Sequence, residues 1–190
     1  GLQHEDGHSH ILASTIPNCR TYDPTYGYEL AVIIREGIRQ MIEEQQSVFF
    51  YLTVMNEAYV QPAMPKGVES GIIRGMYLLE EETGKHAHQV QLMGSGTILR
   101  EVREAANILR KDFNVGADVW SVTSFNELRR EGLAAERWNR LNPTKKPRST
   151  YVEQCLAKRN GPVVASTDYM KLYAEQIRQW VPSKEYKVLG

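Results

Sequence analysis

Between Gln89 and Val122 the sequence spells out one complete strand, turn, helix and strand, and no other stretch limits the fold so tightly. Gln89 to Met93 is largely apolar and ends at the turn Gly94-Ser95-Gly96. The next segment places Ile98, Val102, Ala105 and Leu109 on one helix face, and Ala117 to Val122 is again apolar. Parallel strands cannot be joined by a hairpin and need a crossover of this kind, so the unit predicts an α/β fold on a parallel sheet.

The flanking sequence extends the pattern. Ser124 is expected to cap a helix running to about Leu133, with Glu127 placed for a reciprocal contact. Pro162 to Ser166 predicts a further strand. Tyr169 to Trp180 predicts a helix with Met170, Tyr173, Ile177 and Trp180 on one side, stopped by Pro182, and Tyr186 to Gly190 predicts a last strand. Leu141 to Thr150, with two prolines and three basic residues, reads as a surface loop. Nearer the start, Asp23-Pro24 reads as a helix cap and first helical position. Leu30, Ile34, Ile38, Met41 and Ile42 then form a stripe reaching about Glu44. Ser47 to Val54 lacks polar alternation, which predicts a strand covered on both faces. Prolines 62 and 65 in the aperiodic stretch Asn56–Gly67, with the polar run Glu80–Gly84, predict a domain crossover. Residues 1–64 and 65–190 are the expected domains.

Composition removes several classes of function. Twenty-three basic residues balance 23 acidic ones, so no overall field draws nucleic acid or an anionic membrane. The longest nearly unbroken apolar run, Val48 to Met55, is far short of the roughly 20 residues that cross a bilayer. The two cysteines, Cys19 and Cys155, do not make a disulfide scaffold and fit a reducing, cytoplasmic setting. The chain opens on Gly1 without a signal-peptide pattern and closes as a strand reaches its turn, so both ends read as cut from a longer chain.

The densest chemistry lies in Gly1-Leu-Gln-His-Glu-Asp-Gly-His-Ser-His10. His4, His8 and His10 with Asp6 offer nitrogen and oxygen ligands of the type zinc or iron accepts, although Gly7 interrupts a helical spacing. Alternatively, one histidine serves an organic active site as a hydrogen-bond donor, or the imidazoles are structural. The Gly94-Ser95-Gly96 turn sits where a helix start can hold phosphate. Its third glycine position is occupied by Leu99, so a tight turn is the expectation there. Lys145, Lys146 and Arg148 read as a solvated loop, and the Tyr169–Tyr173 run as core or subunit contact.

The opening decapeptide resembles the active-site segment of the homodimeric bacterial family of pyruvate dehydrogenases. Tyr22-Asp-Pro-Thr-Tyr-Gly-Tyr-Glu-Leu-Ala31, Asn56-Glu-Ala-Tyr-Val-Gln-Pro-Ala-Met-Pro65, Ser121-Val-Thr-Ser-Phe-Asn-Glu-Leu128 and Ala165-Ser-Thr-Asp-Tyr-Met-Lys-Leu-Tyr173 are similar to the same family in the same order. The resemblance implies the end of a thiamine diphosphate-fold pyrimidine-binding domain followed by most of a transketolase C-terminal-like α/β domain. It implies decarboxylation of pyruvate on thiamine diphosphate and transfer of the two-carbon unit to the lipoyl group of a dihydrolipoyl acetyltransferase, on the way to acetyl-CoA. His4 matches the family's histidine on the substrate side of the cofactor and is the expected catalytic and cofactor-contacting residue. Glu5, Asp6, His8 and His10 are neighbours for which the resemblance supplies no role. A homodimer is implied, with Mg2+ and most cofactor contacts supplied outside these 190 residues, and an isolated piece is expected to be inactive. Two other readings stand beside it. A transketolase-like two-carbon transferase would want an arginine-rich site mouth that the opening segment lacks, and a histidine-rich metal module would retain metal.

Overall fold

The computed structural model describes residues 5–190. A short helix, α1 (Ser9–Ala13), leads into strand β1 (Cys19–Tyr22), which pairs in parallel with β2 (Phe49–Leu52). Helix α2 (Gly27–Ile38) connects them and continues as a π-helical turn, Arg39–Glu43.

Helix α2 starts three positions later than the proline signal predicts, for a local reason. The Glu29 carboxylate accepts the backbone N–H groups of Thr25 and Tyr26 at 2.6 and 2.9 Å, satisfying donors at the helix start. Asp23 is not a cap. Its N–H donates to the Thr123 carbonyl at 2.8 Å and its side chain is buried. The buried side of α2 is Glu29, Val32, Ile33 and Gly37, whereas Ile34, Ile38 and Ile42 of the sequence stripe are exposed. Strand β2 likewise departs from expectation: Phe49 is exposed and Phe50 to Leu52 are half-buried, because among the described residues its sheet has two strands only.

Across the Asn56–Gly67 stretch, which forms neither helix nor strand, the chain reaches α3 (Glu69–Arg74) and a five-stranded sheet. Its members are β3 (Tyr77–Glu80), β4 (His88–Gly94), β5 (Val115–Ser121), β6 (Val163–Ser166) and β7 (Tyr186–Leu189), in the spatial order β3-β5-β4-β6-β7. Strand β3 is antiparallel to β5, and the remaining pairings are parallel. Glu80 closes an edge strand of this sheet. The predicted crossover helix is α4 (Ile98–Phe113), followed after β5 by α5 (Phe125–Leu141), α6 (Tyr151–Leu156) and α7 (Leu172–Glu175).

The strand alternation sorts the core into two layers. Val90, Leu92, Ala117 and Val119 face α4, meeting Leu99, Val102 and Ala106. The buried stripe of α4 is thus set one residue from the predicted one, and Ala105 is exposed. On the other face Met93, Trp120 and Val188 pack with Phe125, Leu128, Val152, Tyr173 and Ile177. Helix α5 runs on to Leu141, past the predicted end, because Gly132 and Ala135 keep its buried side close to the core. The Tyr169–Trp180 segment is not one helix. It breaks between α7 and a 3₁₀ turn at Arg178–Trp180, which buries Tyr173, Ile177 and Trp180 and leaves Met170 exposed.

Candidate functional site at the junction of the two sheets

The carboxyl ends of strands from both sheets meet, the position where open α/β folds place ligands and functional groups. Asp23 follows β1, Thr53 follows β2, Ser95 follows β4 and Thr167 follows β6. Thr53 Oγ1 donates to Asp23 Oδ1 at 2.7 Å, Gly96 N donates to the Asp23 carbonyl at 3.1 Å, and Ser95 Oγ donates to Thr167 Oγ1 at 3.2 Å. Thr25 Oγ1 donates to the Gly96 carbonyl at 2.6 Å. Each of these side chains is polar, yet Asp23, Thr25, Ser95 and Thr167 are all buried. Burial of this kind is tolerated when such groups satisfy one another.

The opening segment is pinned onto the junction. Asp6 accepts the N–H groups of His8 and Ser9 at 3.2 and 2.9 Å and also the Ser9 hydroxyl, which turns the chain into α1. The Gly7 carbonyl accepts the Met170 N–H at 3.2 Å. From α1, His10 enters an aromatic box. Its ring stacks on Tyr173 at 4.9 Å and meets the edges of Tyr169 and Tyr51 at 4.7 and 5.5 Å. Asn126 Nδ2 donates to the His10 carbonyl at 2.7 Å and to Thr21 Oγ1 at 2.6 Å.

The electrostatics follow from this burial. Removal from water pushes the His10 imidazole down to about 4, against the opposing pull of the Asp6 carboxylate, so the ring is neutral near pH 7. The Asp23 carboxyl is pushed up to about 6, chiefly by burial, while hydrogen bonds from Thr53 and Ser95 restrain it and the carboxylates of Asp168 and Glu29 add to it. Burial also pushes the Tyr169 and Tyr173 hydroxyls upward.

A second buried anchor lies beside the first. The fully buried Glu29 accepts hydroxyls from Tyr77 and Ser121, each at 2.6 Å, in addition to the two backbone donors at the start of α2. One carboxylate thereby ties α2 to β3 and β5.

Of the residues singled out in the sequence, His4 lies outside the described residues. His8 is exposed while His10 is buried, so these two imidazoles do not face one another. Glu5 is exposed, and Asp6 is engaged in turning the chain. Among the described residues no group of three or more side chains is arranged to hold a metal ion. The Gly94–Gly96 turn is tight, with Gly96 at φ +49°. A Cβ there would lie 2.6 Å from Asp23 Oδ1. An acidic group fills the place a phosphate would need at this turn, so the turn itself does not fit the diphosphate of a cofactor. Arg148 lies over the Trp138 ring at 4.0 Å in the exposed basic loop. Thr53, Asp23, Tyr169 and Tyr173 were not legible as partners of His10, because they are far apart in sequence and carry no spacing signal. No described helix is long and apolar enough to cross a membrane.

Over residues 75–190 the chain belongs to the family described as the transketolase-like TK C-terminal domain. Residues 1–62 match the pyruvate dehydrogenase E1 component middle domain. The chain is 80% identical, over all 190 residues, to a pyruvate dehydrogenase E1 component of Pseudomonas aeruginosa, and spans 22% of that protein. It is 57% identical over 191 aligned residues to the pyruvate dehydrogenase E1 component of Escherichia coli K12, covering all of this chain and 21% of the relative. The chain thus spans about a fifth of the length of these relatives. A transketolase from Campylobacter jejuni shares the fold at a TM-score of 0.59 and 18% identity, over 94% of this chain and 22% of that one. A transketolase variant from Pichia stipitis does so at 0.62 and 13%, over all of this chain and 23% of that one.

Proposed function

We propose that this chain serves a thiamine diphosphate-dependent pyruvate dehydrogenase, in which pyruvate is decarboxylated and the two-carbon unit passes to the lipoyl group of a dihydrolipoyl acetyltransferase. The observation that carries this reading is the 80% identity to a pyruvate dehydrogenase E1 component along the whole chain. The likeness to transketolases, at 13 to 18% identity, concerns the fold and does not favour sugar phosphates as substrates. Bound thiamine diphosphate supplies the electron sink for decarboxylation, and the protein supplies orientation and electrostatics.

In this reading residues 1–64 close the pyrimidine-binding domain and residues 65–190 form most of the C-terminal domain. The diphosphate and Mg2+ are held by parts of the enzyme outside this chain, which agrees with the acidic filling of the Gly96 turn. The enzyme is a cytoplasmic homodimer. His4 is the catalytic and cofactor-contacting residue: its imidazole donates a hydrogen bond to the reacting carboxylate or oxygen of pyruvate as charge develops. The junction holds the residues that follow it in sequence, with Asp6, Gly7 and His10 each bound in place within six positions of His4.

His4→Ala in the full-length protein tests the assignment. Pyruvate turnover is expected to fall at least ~100-fold, in the range typical for loss of a positioned donor, while affinity for thiamine diphosphate stays within about twofold. Unchanged turnover would remove His4 from the mechanism.

A further inference from the structure

We propose that Thr53 is a positioning residue for the catalytic segment, its hydroxyl linking the His10 imidazole to the Asp23 carboxyl in one hydrogen-bonded chain. His10 Nε2 lies 3.0 Å from Thr53 Oγ1, and Thr53 Oγ1 lies 2.7 Å from Asp23 Oδ1. The Tyr22 carbonyl, at 3.4 Å, is the longer alternative acceptor for the same hydroxyl. A threonine hydroxyl has one proton to give. With Asp23 ionised, that proton goes to Asp23, and His10 must donate from Nε2, which leaves Nδ1 as a bare lone pair. With Asp23 protonated, the direction reverses: Asp23 donates to Thr53, Thr53 donates to Nε2, and the ring proton sits on Nδ1. The structure holds Nδ1 buried with no hydrogen-bond partner. In either arrangement Thr53 fixes the imidazole tautomer and the seat of α1.

The groups facing the chain from the packed elements are Asp6 on the opening segment, Tyr51 on β2, Glu29 on α2, Asp168 after β6, and Tyr169 and Tyr173 around α7. Among the described residues none of these is a cation, so Asp23 and His10, joined through Thr53, set the charge state of the junction. The inference rests on the proposed function, since it assigns Thr53 to the positioning of the segment that bears His4.

The test compares Thr53→Val and Thr53→Ser in the full-length enzyme, by pyruvate turnover against pH and by melting temperature against pH. Valine keeps the shape and removes the hydroxyl, whereas serine keeps the hydroxyl. Thr53→Val is expected to lower kcat about tenfold with KM for pyruvate little changed, and to move the acid limb of the pH profile. Thr53→Ser is expected to restore both. A Thr53→Val enzyme with the parent kcat and pH profile overturns the proposal. So does an equal loss in both variants with no movement of the profile, which would mark a packing role. If the unmodified full-length protein does not turn over pyruvate, the proposed function fails. The pH dependence of melting then decides for Thr53: a profile altered by valine and restored by serine supports the hydrogen-bonded chain, and an unaltered one overturns it.

Discussion

Asp23 and Gly96 interlock at the meeting of the two sheets: the carboxylate of one fills the space beside the α-carbon of the other, and the Gly96 N–H donates to the Asp23 carbonyl at 3.1 Å. The chain after β1 and the turn after β4 therefore meet with no room for a side chain beyond that of Asp23.

Gly96→Ala is expected to destabilise the protein by about 3 kcal/mol. The backbone at φ +49° already disfavours an L side chain, by roughly 1 kcal/mol. A methyl group 2.6 Å from Asp23 Oδ1 must also push a buried carboxyl out of its hydrogen bonds. Denaturant titration of the full-length protein measures the loss, and a midpoint equal to the parent's would contradict the interlock.

Glu29→Gln removes half of a buried acceptor. Thr25 N, Tyr26 N, Tyr77 Oη and Ser121 Oγ all donate to this carboxylate, and an amide would oppose two of them with its own N–H groups. A loss of about 3 kcal/mol is expected, against about 1 kcal/mol for Ser121→Ala, which removes a donor and leaves the others satisfied. Comparing the two melting temperatures checks the order. A milder effect for Glu29→Gln than for Ser121→Ala would be incompatible with this anchor.

Two helix caps differ in reach. Thr150 and Glu153 form a reciprocal box at the start of α6, using short-range bonds alone. Ser124 accepts the Glu127 N–H at 3.0 Å and also donates to the Thr21 carbonyl on β1. Thr150→Ala is expected to cost about 1 kcal/mol. Ser124→Ala should cost about 2 kcal/mol, because it also leaves a buried carbonyl without its donor. Equal losses in urea unfolding would show that the Ser124 bond across to β1 contributes nothing.

The pH dependence of stability contains two opposed contributions. Asp23 has its pKa raised, from 3.8 to about 6, so the folded state holds the proton more tightly. This stabilisation is full below the unfolded value and is lost as pH rises through the folded one. His10 has its pKa lowered, from 6.5 to about 4. Folding then releases a proton, and stability is gained as pH rises over nearly the same window. The two slopes largely cancel in the parent. Relative to the parent, His10→Asn should lose about 2 kcal/mol between about pH 4 and pH 6, and Asp23→Asn should gain about as much. Melting temperatures at the two pH values give both signs, and parallel profiles for the two variants would refute the opposition.

Much of the fold was legible because strand and helix periodicities are local. The βαβ unit from β4 to β5, the β6 strand, the last strand and the Ser124 cap all follow from side chains within a few positions of one another, although the Glu127 carboxylate pairs with Arg20 and Arg130 instead of returning the expected reciprocal contact to Ser124. The family resemblance of the opening segment was legible in the same way. The breaks were not. Tyr169 to Trp180 has helical spacing, yet the chain gives up a continuous helix to bury Tyr173, Ile177 and Trp180 in the core beneath α5. Asp23 has the residue type and the following proline of a helix cap, yet the nearby Glu29 takes over the donors at the helix start. Asp23 is thereby left for a partner more than 70 positions away, Gly96.

By itself the sequence determined the alternation of strands and helices, the neutral overall charge and the place of the histidine-rich segment, since composition and short-range spacing fix these. Only the tertiary structure decided that His10, Thr53 and Asp23 share one hydrogen-bonded chain inside a box of tyrosines. Burial sets the charge state of such groups, and burial belongs to the packing of distant segments rather than to any stretch of sequence.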